Sequence, residues 1–285
     1  IPSDGYIDPS SLTQGLARLA RQGGVKIVEG VRVTDIVVKD GRATAVVTDY
    51  GTIACDTLVN AAGIWARDVA KMMGVRMPVA AVEHQYMVTE KLPDLPKTLT
   101  SLRDPDNNFY LKPEVGGFAI GGWESNTRPF GDRGVPFDFG RELFQGNYDR
   151  FEAIATPATS RLPMLNDLGI RQLINGPIPI TPDGEPILGK APELKNVFVA
   201  GGFTSGIAGA GGAGKQLAQW IVEGASEFDL WSFDVQRFGP HHVGAKYLHE
   251  RAVEAYHRYY LIHWPGEEMN TGRGGRRSPL YGVLD

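Results

Sequence analysis

The feature that most constrains the fold is a glycine-dense stretch between Asn196 and Gly224. It indicates a short apolar strand (Val197 to Ala200), a glycine-rich turn, and an amphipathic helix that gathers Leu217, Trp220 and Ile221 on one face. Glycines allow positive φ and let a ligand approach the backbone closely. The start of a helix presents unpaired N–H groups and a partial positive charge. The stretch therefore predicts contact with a nucleotide or dinucleotide cofactor.

Several interpretations compete for this stretch. Gly209, Gly211 and Gly214 spell a G-x-G-x-x-G fingerprint after a strand, but no second strand follows to carry the expected acidic residue. Residues 209–215 also spell most of a P-loop, with Gln216 in place of the Ser or Thr that binds Mg²⁺. The glycines could also serve only close helix–sheet packing. We favour a final strand–turn–helix that touches a cofactor whose main phosphate site lies elsewhere.

Composition narrows the class of protein. The 285 residues are 42% hydrophobic and 22% charged, and the net charge of −4 gives no reason to expect a nucleic-acid partner. A single cysteine, Cys55, excludes an internal disulfide framework and fits a reducing compartment. No apolar run approaches the roughly 18 residues of a membrane span, and no signal peptide opens the chain, so we expect no membrane partner.

The first part of the chain predicts an α/β domain. Asp8 and Pro9 begin a helix, residues 25–33 and 36–38 read as strands, and Lys39 to Arg42 is a strong hairpin turn followed by a meander. An apolar strand at 56–60 then leads through small residues into a helix over 64–73. This second strand–turn–helix lets a large flat ligand lie against its turn, unless it is only a tight connection.

The middle of the chain predicts a different architecture. Residues 79–88, 108–112 and 118–123 alternate as strands, and a helix starting near Gly140 would place Leu143, Phe144, Tyr148, Phe151 and Ile154 on one face. We therefore predict a partial, doubly wound FAD-binding-type domain (1–77 and 181–232) with an inserted antiparallel-sheet substrate domain (78–180). Residues 233–285 form a third segment, a connector.

Local evidence for catalytic or metal-binding side chains is weak. His84 and Tyr110 lie on predicted strands, where each is by default a structural residue: a hydrogen-bonded histidine and a cross-strand aromatic. Five histidines (His241, His242, His249, His257 and His263) lack metal-ligand spacing, so we expect surface positions and no metal site.

Seven segments jointly resemble the dimethylglycine dehydrogenase and sarcosine dehydrogenase group of FAD-dependent amine oxidoreductases, which share the D-amino-acid-oxidase-like fold. They are GYIDPSSL (5–12), VNAAGIWARDVAKMMG (59–74), EHQYMVTE (83–90), NNFYLKPEVGGFAIGGWE (107–124), NGPIPITPDGEPILG (175–189), VAGGFTSGIAGAGGAGKQLAQWIVEG (199–224) and FDLWSFDVQRFG (228–239). The segment after Arg251 is similar to the family's connector into a folate-binding, aminomethyltransferase-like domain.

The resemblance implies roles at matching positions. His84 and Tyr110 become the catalytic candidates, pointing from the inserted sheet towards the substrate. Residues implied to contact FAD are Val33 at the adenine, Ala62, Gly63 and Trp65 along the cofactor, and Phe203, Thr204, Ser205, Gly206, Ile207 and Ala208 at the redox end of the flavin. No metal is implied. An arginine is expected physically for a substrate carboxylate, with Arg128 and Arg161 as candidates.

The implied reaction is oxidative N-demethylation of a glycine-derived N-methyl amine, dimethylglycine or sarcosine, by hydride transfer to flavin. His84 would accept or relay the amine proton, and an electron-transfer flavoprotein is a possible acceptor. The alternative is a non-catalytic regulatory homologue, like the pyruvate dehydrogenase phosphatase regulatory subunit. A nicotinamide dehydrogenase using Gly209 to Gly214 is a third interpretation. Location would be cytoplasmic if bacterial and the mitochondrial matrix if eukaryotic.

Two family features have no match in these residues. The N-terminal G-x-G-x-x-G unit that carries the FAD pyrophosphate is not present, and the similarity reaches only the threshold of the folate domain, where tetrahydrofolate would bind in a full-length protein. We therefore expect a fragment of a flavoenzyme whose 285 residues alone bind FAD weakly or not at all.

Overall fold

A computed structural model of the chain describes residues 5–93, 95–96, 99–114, 116–140 and 142–284. Within these residues the chain forms three β-sheets and six α-helices. The helices are α1 (Pro9–Gln22), α2 (Ala66–Met72), α3 (Tyr148–Arg161), α4 (Gly206–Glu223), α5 (Ala245–Arg258) and α6 (Tyr281–Leu284). The strands are β1 (Val33–Lys39), β2 (Arg42–Thr48), β3 (Gly51–Ala54), β4 (Leu58–Asn60), β5 (Ala80–Thr89), β6 (Leu102–Asp104), β7 (Phe109–Glu114), β8 (Gly117–Gly122), β9 (Pro129–Phe130), β10 (Ile170–Ile180), β11 (Ile187–Lys190) and β12 (Val197–Gly201).

The predicted meander is present as the antiparallel sheet β1-β2-β3. Asp40 and Gly41 both take positive φ (50° and 72°), the backbone that a two-residue hairpin with matching twist requires. The strand predicted over 25–33 is wrong, because β1 begins only at Val33. Val25, Ile27 and Val28 are exposed and have no neighbouring strand in the described sheets, and an extended segment is not stable as a strand without such a partner.

The second sheet positions two strand–turn–helix units side by side. Its order is β11-β12-β4, with β12 parallel to β4 and antiparallel to β11. Because β12 and β4 run parallel, the turns that follow them meet at one edge of the sheet. The turn after β4 leads through a short 3₁₀ helix (Gly63–Trp65) into α2, and the turn after β12 leads into α4.

The inserted sheet is antiparallel throughout, with the order β10-β5-β8-β7-β6 and β9 paired to the end of β5. Helix α3 covers one face and packs Phe151 and Ile154 against Phe109 and Ile120. The predicted helix start near Gly140 is wrong. Asn147 caps α3, since its side chain accepts a hydrogen bond from the Arg150 amide at 2.9 Å, and Leu143 and Phe144 precede the helix.

Helix α5 covers part of the other face of this sheet. Its buried stripe of Leu248, Ala252, Ala255 and Tyr256 packs with Val82 and Trp123. The predicted fold class, mixed α/β with an inserted antiparallel sheet, is confirmed. The division of the chain at 78, 181 and 233 stays a prediction. No helix within the described ranges has the length and apolar character to cross a membrane.

Candidate active site

The two strand–turn–helix units line one apolar groove of about 400 Å³. Gly63 contributes from the first turn, and Phe203 and Gly206 contribute from the second. Gly63 and Gly202 have φ of 58° and 71°, so both turns use the left-handed backbone that glycine tolerates best. A Cβ at Gly63 or Gly214 would meet no atom within 4 Å, so the groove is open in front of both residues. A flat ring system can therefore approach the backbone here.

The glycine fingerprint at 209–214 lies inside a helix. Helix α4 begins at Gly206, so the glycine-dense turn itself is shorter than the sequence indicated and comprises residues 202–205. A dinucleotide fingerprint must form the strand-to-helix turn to hold a pyrophosphate. Gly209, Gly211 and Gly214 instead occupy the first turns of α4, which removes the structural basis of the nicotinamide and P-loop interpretations.

The six predicted residues of the second turn divide between loop and helix. Thr204 donates its hydroxyl to the Pro179 carbonyl at 3.1 Å, which ties the turn to β10. Gly206, Ile207 and Ala208 form the first helical turn, whose N–H groups have no partner within a helix. A second cavity, of about 460 Å³, lies beside the groove and shares Phe203 with it. Phe203 therefore stands between two apolar spaces.

The remaining predicted cofactor residues lie around the first sheets. Val33 starts β1 and packs against the core beneath the sheets, as does Ala62. Trp65 donates its indole N–H to the Pro136 carbonyl at 3.0 Å, so it holds a loop of the inserted region. Their roles toward FAD stay predictions.

His84 and Tyr110 lie next to each other on one face of the inserted sheet. His84 Nε2 is 3.2 Å from the Tyr110 hydroxyl, and His84 Nδ1 is 2.9 Å from the Tyr256 hydroxyl. The rings of Trp123 and Tyr256 surround the imidazole, with centroids 4.8 and 5.8 Å away. Burial lowers the pKa of His84 to about 4, so the imidazole is neutral at pH 7 and can accept a proton. Burial likewise raises the pKa of Tyr110, which keeps its phenol protonated.

A buried polar network behind His84 was not predicted from the sequence. Tyr256 Oη lies 2.7 Å from Glu124 Oε2, and Glu124 Oε1 lies 3.1 Å from Arg150 Nε. Arg150 also pairs with Glu83 at 2.7 Å. The side chain of Glu124 is completely buried, and that of Arg150 is 3% exposed. The helical spacing of α5 could have indicated that Tyr256 is buried, but no local pattern indicated its partners.

An arginine that we did not consider from the sequence, Arg103, lies on the strand next to Tyr110. Arg103 stands directly opposite Tyr110 in the β6–β7 register, so both side chains project from the same face. Its guanidinium carbon is 3.7 Å from the centre of the Tyr260 ring. Within the part of the chain that the structure describes, no carboxylate lies within 4 Å of Arg103. Arg161 pairs with Asp104 at 3.1 Å, and Arg128 is exposed.

Ser205 of the glycine turn contacts Tyr259, the residue that follows α5, and their hydroxyl oxygens are 2.7 Å apart. Both residues line a third cavity, of about 460 Å³, together with Arg103 and Tyr260. Tyr260 contacts Tyr110 edge-on, with ring centroids 6.2 Å apart. Ser205 therefore borders a cavity whose wall includes Tyr260, the residue that contacts Tyr110.

Four of the five C-terminal histidines are half-buried, so the surface prediction is wrong for them, whereas His263 is exposed as expected. His257 Nδ1 lies 2.9 Å from the Trp123 carbonyl, and the His249 side chain is only 13% exposed and 3.3 Å from Asp132. Among the described residues, no group of three or more His, Cys, Asp or Glu side chains is placed to hold a metal ion.

Comparison with known proteins identifies the class to which this fold and site belong. A family model described as FAD dependent oxidoreductase matches residues 1–220, and one described as FAD dependent oxidoreductase central domain matches residues 223–278. The chain belongs to the FAD dependent oxidoreductase family.

Curated relatives refine this assignment and confirm the resemblance to the dimethylglycine and sarcosine dehydrogenases. Dimethylglycine dehydrogenase of Rattus norvegicus is 38% identical over 293 residues, covering 100% of this chain and 34% of the relative. The 4-methylaminobutanoate oxidase (formaldehyde-forming) of Paenarthrobacter nicotinovorans is 36% identical over 285 residues, with the same two coverages. The pyruvate dehydrogenase phosphatase regulatory subunit of Mus musculus is 33% identical and covers 100% of this chain and 33% of that protein. The chain spans about a third of the length of these relatives.

Solved structures share the fold. L-proline dehydrogenase from P. horikoshii has a TM-score of 0.72 at 25% identity, covering 83% of this chain and 61% of that one. Glycine oxidase from Geobacillus kaustophilus has a TM-score of 0.68 at 24% identity, covering 84% and 60%. FAD, which the family implies, fits the groove chemically. The groove walls combine an apolar lining with glycine backbone and the amide end of α4.

Proposed function

We propose that the full-length protein oxidises the N-methyl group of an amino acid such as dimethylglycine or sarcosine, with FAD in the groove between the two turns. Flavin, when bound, supplies the two-electron oxidant for the C–H bond. The observation that carries the proposal is a neutral, proton-accepting His84 held beside Tyr110, on a sheet face that borders the glycine turn through Ser205 and Tyr259.

The proposed role of His84 follows from the chemistry of the substrate. An N-methyl amine is largely protonated at neutral pH, and its nitrogen lone pair is needed to assist C–H cleavage. His84 Nε2 is proposed to take that N–H proton, since the buried imidazole is unprotonated at neutral pH. Tyr110, whose phenol stays protonated, positions the amine by hydrogen bonding.

Arg103 is proposed to bind the substrate carboxylate in place of Arg128 or Arg161. It shares a sheet face with Tyr110, and the Tyr260 ring orients its guanidinium. Arg161 is already paired with Asp104.

The location of the protein is proposed from the names of its relatives: mitochondrial dehydrogenases support a matrix location in a eukaryote. An electron-transfer flavoprotein as acceptor and tetrahydrofolate as a second ligand remain parts of the proposal drawn from the family resemblance.

Flavin reduction in the full-length protein tests this proposal. Anaerobic mixing with sarcosine, dimethylglycine or 4-methylaminobutanoate should bleach the flavin absorbance and release formaldehyde. Arg103→Met should raise KM by about 10-fold or more, the loss of roughly 1.5–3 kcal/mol expected for a charged hydrogen bond. Arg128→Met and Arg161→Met should leave KM within about 2-fold. A KM effect confined to Arg128 or Arg161 would overturn the assignment of Arg103.

The regulatory alternative rests on the similarity to the phosphatase regulatory subunit. It expects no flavin reduction by any N-methyl amine, even when the protein is saturated with FAD. The His84–Tyr110 pair favours the enzyme, because a neutral imidazole beside a protonated phenol supplies a proton acceptor and a hydrogen-bond donor at one place.

A further inference from the structure

The geometry points to Glu124 and Tyr256 as positioning residues that fix the tautomer of His84, so that its Nε2 atom carries the lone pair that faces the substrate. This inference rests on the proposed function, in which His84 accepts the amine proton. Neither residue was singled out by the sequence, and Tyr256 comes from α5, outside the inserted sheet.

The inserted sheet opens beside His84. Strand β5 pairs with β8 at Tyr86, Met87 and Val88, and with β9 at Ala81 and Val82. Between these two neighbours, the phenol of Tyr256 enters from α5 and reaches across to Glu124. A buried carboxylate is thereby connected to an imidazole on the other side of the sheet.

Proton counting then fixes the direction of each hydrogen bond. The Tyr256 hydroxyl has one proton and lies near Glu124 Oε2 (2.7 Å) and His84 Nδ1 (2.9 Å), with the Gly122 carbonyl at 3.3 Å. An ionised carboxylate only accepts hydrogen bonds, so Tyr256 donates to Glu124. The contact with His84 must then be an Nδ1–H that donates to the Tyr256 oxygen. Nε2 is left without a proton, next to the Tyr110 hydroxyl.

The Arg150 guanidinium, with Nε 3.1 Å from Glu124 Oε1, favours the ionised form of Glu124. Burial acts against it and leaves the pKa of Glu124 above its ordinary value, although the Tyr256 hydrogen bond and the Arg150 charge lower that pKa. The guanidinium cannot lose its proton, and with a side chain only 3% exposed it needs its anionic partners, Glu83 and Glu124. The groups around His84 are therefore Tyr110 from β7, Tyr256 from α5 and, one contact further, Glu124 with Arg150 from α3.

The consequence for the reaction is a balanced proton transfer. The amine N–H bond breaks as an N–H bond forms at His84 Nε2, while Nδ1–H stays donated to Tyr256. The imidazolium charge is then stabilised by Glu124 through the intervening phenol. A carboxylate that orients and stabilises a histidine in this way is a recurring arrangement, here with a tyrosine between the two groups.

Two variants should affect the tautomer of His84 differently. In Glu124→Gln, Arg150 retains the amide oxygen, so the amide NH₂ donates to Tyr256, and the Tyr256 proton turns to His84 Nδ1. That change places the His84 proton on Nε2 and blocks proton acceptance. In Tyr256→Phe the imidazole loses its Nδ1 partner without a reversal. Glu124→Gln should therefore slow flavin reduction by about 100-fold and Tyr256→Phe by about 10-fold, within the range seen for residues that orient a catalytic group.

The test uses the full-length FAD-loaded protein, with rapid-mixing flavin reduction measured across pH 6 to 10 and NMR of ring-labelled histidine. The His84 signal is assigned by its loss in His84→Gln. We expect the Nδ1–H tautomer in the wild type and the Nε2–H tautomer in Glu124→Gln. Binding of a thioether analogue of the substrate, which carries no amine proton, should be unchanged in both variants. Tyr247→Phe, on the same helix, is the matched control.

The outcomes separate the two proposals. If no N-methyl amine reduces the flavin of the wild type, the proposed function fails. If reduction occurs but both variants stay within about 2-fold of the wild type, the positioning role fails. A wild-type spectrum that shows an Nε2–H tautomer also overturns it, and that measurement does not depend on whether a variant folds.

Discussion

Gly121 leaves the space that the phenol of Tyr110 occupies. The two residues are register partners on β8 and β7, and a Cβ built on Gly121 would overlap the phenol, with ring atom Cε1 only 2.8 Å away. The missing side chain therefore lets Tyr110 lie across its neighbouring strand and reach His84. The position of Tyr110 therefore depends on the small size of Gly121. It does not depend on an unusual backbone conformation, because the φ of Gly121 is not in the left-handed region.

Gly121→Ala should displace Tyr110 from His84. We expect the rate of flavin reduction in the full-length protein to fall by about 10-fold or more, with a loss of roughly 1–3 kcal/mol in stability from overpacking. Gly176→Ala is the matched control, because it lies on strand β10 of the same sheet, with β5 between it and β8, and its Cβ would meet only Leu143 at 3.5 Å. Equal rates for the two variants would contradict the role assigned to Gly121.

Gly63 and Gly202 should respond differently to the same substitution. Both have positive φ, so alanine strains either backbone by roughly 1–2 kcal/mol. At Gly202 the new methyl group would also collide with the Thr181 side chain, whereas at Gly63 it would meet nothing within 4 Å. Gly202→Ala should therefore lower the thermal midpoint more than Gly63→Ala. Calorimetry of the two variants side by side checks this, and a larger shift for Gly63→Ala would contradict it.

Asn196 should be one of the more sensitive positions in the fold. Its side chain, in a residue that is 5% exposed, accepts from the Ala43 amide and donates to the Ala43 and Asp56 carbonyls, joining the meander to the sheet that carries β4. Asn196→Ala leaves these buried backbone groups unpaired, and we expect a loss of about 3 kcal/mol. Asn196→Asp should cost more, because a carboxylate would face two carbonyl oxygens.

Urea unfolding measures both Asn196 variants. The comparison is Asn166→Ala, an exposed asparagine that donates only to the Pro163 carbonyl and should change stability by no more than about 0.5 kcal/mol. Similar midpoints for Asn196→Ala and Asn166→Ala would show that the three hydrogen bonds of Asn196 carry little net energy.

His84 should make the protein less stable in mild acid. The pKa of His84 is about 4 in the folded protein, below the ordinary value of 6.5 that a solvated histidine of the unfolded chain has. Between these two values the unfolded chain takes up a proton that the native state does not. The free energy of unfolding should therefore decrease from pH 6.5 to pH 4, by on the order of 3 kcal/mol from this residue.

Urea unfolding at a series of pH values isolates this contribution. The acid slope should be shallower in His84→Gln than in the wild type, whereas His263→Gln, at an exposed histidine, should leave the slope unchanged. Parallel wild-type and His84→Gln curves would mean that His84 titrates alike in the folded and unfolded chains.

Local patterns predicted much of this fold because local physics determines it. The hairpin at Asp40 and Gly41 follows from residues that tolerate positive φ, and the inserted strands follow from alternation. The errors arose where tertiary contacts decide. Val25 to Ile27 has strand-forming residues but no neighbouring strand in the described sheets, and Phe144 bonds to Asn175 instead of beginning a helix.

The candidate site could be predicted only in part. The family resemblance brought out His84 and Tyr110, and the structure brings them within 3.2 Å of each other. Glu124 follows a glycine-rich strand and carries no local signal of burial, while Tyr256 reaches His84 from 172 residues away. Arg103 was passed over because only the strand register reveals that it faces Tyr110.

The packing of α5 on the inserted sheet has a consequence for synthesis of the protein. Val82, Trp123 and Ile180 are buried, and helix α5 is one of the elements that cover them. This helix leaves the ribosome long after the strands have been made. At roughly 5–20 residues per second, on the order of 10 s separates the appearance of Trp123 from that of Tyr256. Until the helix has been made, the nascent sheet exposes an apolar face, which is the kind of surface that chaperones bind.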